Sequence, residues 1–598
     1  MQLLVEEALQ KGAQLQQQGL LTEAETLCLK ILETAPGHSD ANHLLGIIER
    51  QLGRSEKAAV RFSLAIQENP GVANYHANLG NAFRDLGRLE DAVDSYQQAL
   101  SLKPDFPEAN SNMGVTLKEL GRFDEAVACF RNALALEPDY FEAHINLGNT
   151  LSKMMRLEDA EASYRAALAV QPVSSDAHLS LANALRRQSR FDDAVDSCRT
   201  AMDLAPGKAK AHSGLGTVFR EMGRLEEAAD CYHHALSIEP DNAEAHTNLG
   251  VALVGLGRLE EANASQLKAL EIAPGNAEAK YNLGLLHLMA GRFREGWEGY
   301  ALRWQLEEFE GKPNFPQAEW NGSDLTGKSI LVWAEQGIGD EIMFAGLVPD
   351  LIETGAKVVL ESDHRLVSLY QRSFPEAECV PREAPPAPET LREDVDFQAP
   401  GGDLCSVFRA GLASFPDRSG FLKADPEQTA ELRARYQERF PDKHLIGISW
   451  RSGSKLTGGI RSIPLTDWLD VLSHSRCAFV SLQYGDVEEE ISGLKRDQGI
   501  DVLVDSDIDP FGDIDGLSSQ IAAMDSVFTI ANITLQLAGA LGIPTWALLM
   551  KTPDWRWMLD CDDSPWYPEM RLFRQGERND WAGVINRVAQ ALNERFED

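Results

Sequence analysis

"ANYHANLGNAFRDLGRLEDAVDSYQQALSLKP", residues 73–104, sets Gly80, Ala92 and Pro104 twelve residues apart, and the same three marks recur along the first half of the chain. Prolines fall at Pro36, Pro70, Pro104, Pro138, Pro172, Pro206, Pro240 and Pro274, each 34 residues from the last. A small residue precedes each by twelve, from Ala24 to Ala262; another stands twelve earlier, from Gly12 to Gly250, with Ala182 as the one alanine of that series. Small residues belong where two antiparallel helices cross closely, and proline opens a connection because it cannot continue a helix. The spacing predicts an α-solenoid of stacked helical pairs.

This pattern resembles the tetratricopeptide repeat over nearly half the chain. A ninth unit opens with "KYNLGLLHLMAGRF" at Lys280 and then departs from the pattern at "REGWEGYALRW", with Gly296 in the alanine position and Trp297, Tyr300 and Trp304 following. It reads as a cap, ending near residue 304, that docks the array on what comes next. Such arrays coil around a groove lined by the first helix of each pair. Asn78, Asn112, Asn146, Asn248 and Asn282 recur at one position of that helix, broken at Ser180 and Gly214. Amide side chains both donate and accept, so they suit either an acceptor polypeptide's backbone or the neighbouring helices. Similar ladders hold acceptor polypeptides in O-GlcNAc transferases.

With 56 basic against 92 acidic residues the net charge is −36, which repels phosphate backbones and anionic membranes and argues against a nucleic acid or membrane partner. The start, "MQLLVEEALQKGAQLQQQGLL", has no basic segment followed by an unbroken apolar one, so a cytoplasmic chain is expected. Eight scattered cysteines without a C-x-x-C pair read as buried thiols.

From Gln305 the periodicity stops, and residues 305–327, rich in Pro, Gly, Asn and Asp, read as a linker. Beyond it the short apolar runs "SILVWA", "AKVVLES", "HLIGISW", "CAFVSLQY", "SVFTIAN" and "TWALLM" read as buried parallel strands, and "DEIMFAGLVPDLIE", "PLTDWLDVLSH" and "ITLQLAGALG" as helices. Such alternation predicts a doubly wound α/β architecture. The rhythm weakens over Ala384–Gln428, which suggests two Rossmann-like units, residues 328–440 and 441–598, around a cleft at the strands' carboxyl ends.

"WAEQGIGDEIMFA" places Gly337 and Gly339 in a loop after the first of these strands, where glycine permits unusual backbone angles and close ligand approach, and Asp340 at the start of a helix as an N-cap or a site carboxylate. In order, "WAEQGIGDEIMFA", "ISWRSGS", "RSIPLTDW", "FVSLQYGD" and "LAGALGIPTWALLMKTPDWRWMLDCDDSPWYPEMRLFRQ" resemble the GT-B glycosyltransferase domain of the heptosyltransferase-like group. Behind tetratricopeptide repeats, that domain is similar to bacterial flagellin glycosyltransferases that attach nonulosonic acids to Ser or Thr. The resemblance implies Asp340 as catalytic base, inversion at the anomeric centre, a CMP-linked sugar as substrate, flagellin as acceptor, and no cofactor or metal. It places the donor on Arg451, Ser452, Gly453, Ser454, Lys455, Gln483, Asn532, Ile533, Thr534 and Gln536, with Arg461 shortly beyond. An arginine at a strand end grips phosphate with paired bonds or pairs with a surface carboxylate. Where related domains commonly carry Asp-Thr and His, this chain has Ala531, Asn532 and Gln536, leaving neutral donor recognition or loss of activity as the alternatives. A UDP-sugar donor and a non-catalytic scaffold are the rival readings.

"DSDIDPFGDID" from Asp505 imitates a calcium loop but has Pro510 where the turn needs glycine and Gly516 where it needs glutamate, so no calcium is expected. The tryptophans of "TPDWRWMLD" and "SPWYPEM" suit a domain interface or a stacked ligand.

Overall fold

The computed structural model describes residues 2–306, 309, 311–335, 337–454, 458–559 and 561–596. The chain forms two compact units, Met1–Pro240 and Asp241–Asp598.

The first unit is made of helical pairs such as Ala73–Asp85 with Leu89–Leu102. Why glycine recurs in the first helix is now visible. A Cβ at Gly80 would stand 2.8 Å from the Tyr96 ring, and Gly46, Gly114, Gly148 and Gly216 meet Phe62, Phe130, Tyr164 and Tyr232 in the same way. Each of these five pairs thus closes by seating a ring, sixteen residues on, against bare backbone. The rings of Phe62, Tyr96, Phe130 and Tyr232 are fully buried, as are Ala58, Ala92, Ala126 and Ala228 at the other small position.

A further recurring residue ends the first helix of each pair in the left-handed conformation: Gly19, Gly53, Gly87 and Gly121, then Met155 and Ser189 at φ 60°, then Gly223. Only glycine adopts that conformation without a Cβ penalty.

The second unit begins with the last helical pairs, Ala243–Gly255 with Leu259–Ile272 and Ala277–Met289 with Phe293–Tyr300. The final pair is closer than the rest: a Cβ on Gly284 would lie 2.7 Å from the Gly299 Cα, and one on Gly296 would meet Leu288 at 2.5 Å. That contact accounts for the glycines of "REGWEGY". The aromatics that follow dock the cap on the α/β region. Trp297 packs edge-on to Trp555 at 5.4 Å and donates its indole N–H to the Arg409 carbonyl at 2.7 Å, while Trp566 meets Phe415 at 4.9 Å.

Two sheets follow. The first contains β1 (Ala318–Glu319), β2 (Ser329–Trp333), β3 (Lys357–Ser362), β4 (Glu378–Pro381) and β5 (Phe397–Pro400), all parallel, in the order β1-β5-β2-β3-β4. The second contains β6 (His444–Ser449), β7 (Cys477–Ser481), β8 (Val502–Leu503), β9 (Ser526–Ile530), β10 (Thr545–Leu549), β11 (Asp563–Ser564) and β12 (Tyr567–Arg574), in the order β11-β12-β10-β9-β6-β7-β8 and parallel except for the β11–β12 pair. The six apolar runs are β2, β3, β6, β7, β9 and β10, the buried strands of the two sheets.

Several expectations need correction. The helix read over "DEIMFAGLVPDLIE" is two, Ile338–Ala345 and Val348–Glu353, because Pro349 in the second one's first turn has no N–H to extend the first. "PLTDWLDVLSH" forms a short 3₁₀ turn, Leu465–Trp468, running into Leu469–Leu472. The supposed linker supplies edge strand β1 and buries Phe315 and Gln317. The weak stretch after Ala384 holds β5, which pairs with β2 at the middle of the first sheet. Helix Pro426–Arg439, assigned to the first unit, is tied to the second sheet's elements by Arg433 to Asp525 at 2.6 Å and the Tyr436 hydroxyl to Asp505, so the division precedes it. The eight cysteines are free thiols, and among the described residues no helix is long and apolar enough to cross a membrane.

Replacing Met155 or Ser189 by glycine should remove a left-handed penalty of about 1–2 kcal/mol while adding unfolded-chain entropy. Each variant is expected to gain about 0.5–1 kcal/mol in urea unfolding; a loss of stability would show that the native side chain matters more than the backbone angle.

Candidate active site

The carboxyl ends of both sheets open on one cavity of about 1050 Å³. The loop after β2 contributes Gly337 to Asp340, that after β3 Asp363 and Arg365, and that after β4 Arg382. From the second sheet come Ser452 to Ser454 and Arg461 after β6, Tyr484 after β7, Phe511 after β8, Asn532 and Gln536 after β9, and Asp554 to Trp557 after β10. Tyr281, Leu285 and Tyr300 of the last helical pair close one side.

Asp340 lies on the wall, in the first turn of helix Ile338–Ala345, whose N-cap is Gly337. The N-cap reading of Asp340 is therefore corrected: the cap stands three residues earlier. Gly337 has φ −93°, ordinary for any residue, and a Cβ there would meet nothing within 4 Å; one on Gly339 would meet only Gln536 at 3.6 Å. Their bareness leaves cavity space open; it does not serve an unusual backbone angle.

Asp340 is ion-paired through Oδ1 with Arg556, which also bonds Asp554 at 2.6 Å. Burial pushes the Asp340 carboxyl up, with Arg556 opposing. Burial also acts to raise Asp554, but Arg556 and Arg461 hold it below the usual carboxylate range. Arg461 is pulled down by burial, its Nε without a hydrogen-bond partner. The charged side chains on the described walls are four arginines, Arg365, Arg382, Arg461 and Arg556, and three aspartates, Asp340, Asp363 and Asp554. In a chain of net charge −36, four arginines on one wall are a local concentration of cations, although Arg382 is also paired with Glu341 at 3.0 Å. Coulomb attraction in such a partly desolvated cleft favours an anionic ligand.

Of the other residues expected to hold the donor, Ser452, Gly453, Ser454, Asn532, Ile533 and Gln536 line the cavity, and Lys455 lies outside the described residues. Arg451, expected to grip phosphate, is corrected: its guanidinium donates to the Asp486 carbonyl at 2.5 Å and stands 3.7 Å from Glu490, and it is not among the wall residues. Arg461, ten residues on, reaches the cavity. Gln483 is buried as a brace, its Oε1 accepting from the Ser449 hydroxyl and the Trp450 and Arg451 amides at 3.0, 2.8 and 2.7 Å. Thr534 is fully buried and also outside the wall. Asn532 caps helix Ile533–Ala540 by accepting from the Leu535 amide and donates to Ser449 at 2.7 Å, while Gln536 accepts from the Tyr567 hydroxyl at 2.5 Å.

In the first unit the Asn78 amide lies 2.8 Å from His43 Nε2, and Asn112 donates to Asn81 at 3.2 Å, so both already serve neighbouring repeats. Asn146 is half-buried, as are Asn248 and Asn282 in the second unit; Asn282 Nδ2 is buried without a hydrogen-bond partner. Local sequence does not single out Arg556, Asp554, Arg365 or Arg382; Arg556 and Asp554 stand beside the tryptophans of "TPDWRWMLD", and the two other arginines lie in loops with no motif.

Behind the wall, Arg303 donates through Nε and Nη2 to Glu335 at 2.7 and 3.0 Å, with neither side chain exposed to more than 1%. Glu335 also accepts from the Gly402 amide at 2.5 Å. The loop that presents Asp340 is thereby tied to the end of the helical repeats. The acidic segment after Asp505 spends its carboxylates on protein groups: Asp507 on Arg435 at 2.6 Å, Asp515 on Arg372 at 2.7 Å, and Asp513 as the cap of helix Ile514–Ala522.

A TPR repeat model matches residues 80–121, 116–154 and 216–257, and tetratricopeptide repeat models match 147–209 and 243–276. The helical pairs are TPR repeats. Protein FlbA of Caulobacter vibrioides is 34% identical over 317 residues, 50% of this chain and 52% of FlbA. The chain thus spans about half the length of that curated relative. Among solved structures, the MamA protein is 27% identical over 29% of this chain and 94% of its own, with a TM-score of 0.26. A thermophilic TPR protein of Thermus thermophilus is 26% identical over 31% of this chain and 100% of its own, with a TM-score of 0.28.

Arg303→Leu should cost about 3–5 kcal/mol by leaving Glu335 charged and buried, and adding Glu335→Leu should recover part of it; equal loss in both variants, read by chemical unfolding, would show that the pair is not coupled. Burial pushes Glu361, at the end of β3, from 4.5 to about 7, with Arg382 opposing. A group raised on folding contributes stability below its unfolded pKa and loses it as pH rises through the folded one. The unfolding midpoint should therefore fall from pH 4.5 to 7 through this group, and fall less in Glu361→Gln; parallel pH curves would remove the assignment.

Proposed function

We propose that the chain is a protein O-glycosyltransferase that moves a nonulosonic acid from a CMP-linked donor to Ser or Thr of flagellin, its TPR repeats binding the acceptor protein. The observation that carries this reading is the position of Asp340 on the wall of a cation-rich cavity at the carboxyl ends of two parallel sheets. The order of sequence motifs supports a GT-B arrangement and supplies the sugar and acceptor classes.

In the proposed step an acceptor hydroxyl attacks the anomeric carbon from the face opposite the nucleotide. Its proton passes to Asp340, the new C–O bond forms, and the sugar–phosphate bond breaks with its electrons leaving on the phosphate. Arg461 and Arg556 face that developing charge, in the role first assigned to Arg451. Arg556 is held through Oδ1 of Asp340, and Oδ2 is the oxygen that takes the proton. General base catalysis of this kind is worth roughly 10²–10⁴ in rate.

The Asp340–Arg556 pair also favours a second reading, a binding scaffold in which the carboxylate is permanently engaged. Purified chain, CMP-nonulosonate and flagellin, followed by intact-mass spectrometry, separate the two. Asp340→Asn should bind flagellin as the wild type does and lose about 10²-fold or more of transfer; full transfer by that variant would place the base elsewhere, and no transfer by the wild type with CMP- or UDP-linked donors would leave the scaffold.

A further inference from the structure

Phe511 is 64% exposed and is the only exposed aromatic among the described residues. It sits in the acidic segment after β8, on the cavity rim. An apolar ring in water gains nothing from the solvent, yet the backbone that carries this one is anchored on both sides. Its own amide donates to Asp509 at 3.0 Å, and its carbonyl accepts from Arg365 at 3.0 Å. The Arg365 guanidinium stands over the ring at 5.1 Å. Arg365 is itself fixed by a two-pronged pair with Asp363, both bonds 2.9 Å. Tyr484 lies 6.4 Å from the Phe511 ring at 46°, its hydroxyl accepting from the Gly453 amide at 2.5 Å.

Two rings beside a cation at the mouth of a cavity whose wall carries four arginines make a surface for a flat heterocycle whose attached phosphate points inward. We infer that Phe511, flanked by Tyr484, stacks the nucleobase of the nucleotide that enters this cavity. The inference rests on the nucleotide-sugar reading above and adds the side chain that holds the base. Base–aromatic stacking commonly changes affinity by roughly 5- to 100-fold on truncation to alanine.

The test is calorimetry on the full chain with CMP, UDP and ribose 5-phosphate. Phe511→Ala, a change at an exposed position, should weaken CMP or UDP by about 10-fold or more and leave ribose 5-phosphate unchanged, while Phe511→Trp restores nucleotide affinity. Nucleotide affinity unchanged in Phe511→Ala overturns the inference alone, as does an equal loss for ribose 5-phosphate. A wild-type chain that binds neither nucleotide overturns the nucleotide reading together with it.

Discussion

The buried pair of Arg303 and Glu335 governs the geometry of the second unit. Two charges withdrawn from water lose several kcal/mol of solvation each, and only complete replacement of the lost hydrogen bonds makes them tolerable. Here the replacement is extensive: Arg303 also donates to the Tyr300 carbonyl at 3.1 Å, pairs with Asp403 at 2.7 Å, and lies 4.3 and 4.6 Å from the Tyr300 and Trp304 rings. An arrangement with so many partners has one acceptable geometry. It joins the last helical repeat, the end of β2 and the segment after β5, which are the elements that bring Tyr300 and Asp340 to the same wall.

The cavity shows the same economy with its cations. Arg365 faces Asp363, Arg382 stands 3.0 Å from Glu341, and Arg556 lies between Asp340 and Asp554. Each of these positive charges is thus positioned by a neighbouring carboxylate, and the guanidinium groups are in place without a ligand. Preorganised charge of this kind needs little rearrangement when a ligand brings its own.

The repeats were legible because their period arises from steric necessity: Gly80 must admit the Tyr96 ring, and the chain repeats that requirement. The left-handed turn residues were in equally plain view, yet Met155 and Ser189 break the glycine series at successive repeats. Buried parallel strands such as β2 and β9 announced themselves as unbroken apolar runs. β5 did not, being four residues ending at Pro400, and β12 did not, because its burial alternates irregularly toward an edge. Side-chain direction was the harder matter. Arg451 and Arg461 flank the same loop, and nothing local tells that Glu490 and Asp486 turn the first aside. Asp340 was visible as a candidate, whereas its partner Arg556 lies 216 residues away in sequence.

The compact second unit starts at Asp241, two helical pairs before the repeat pattern ends. Every described residue of the cavity wall lies downstream of that point, so a whole 34-residue repeat added or removed before it changes no residue of the wall. The last two pairs have no such freedom: Tyr281 and Leu285 form part of the wall, and the turn glycines Gly257 and Gly291 face Thr552 and Met558. The repeats before Asp241 can thus vary in number as whole modules, whereas the last two pairs are fixed parts of the α/β region.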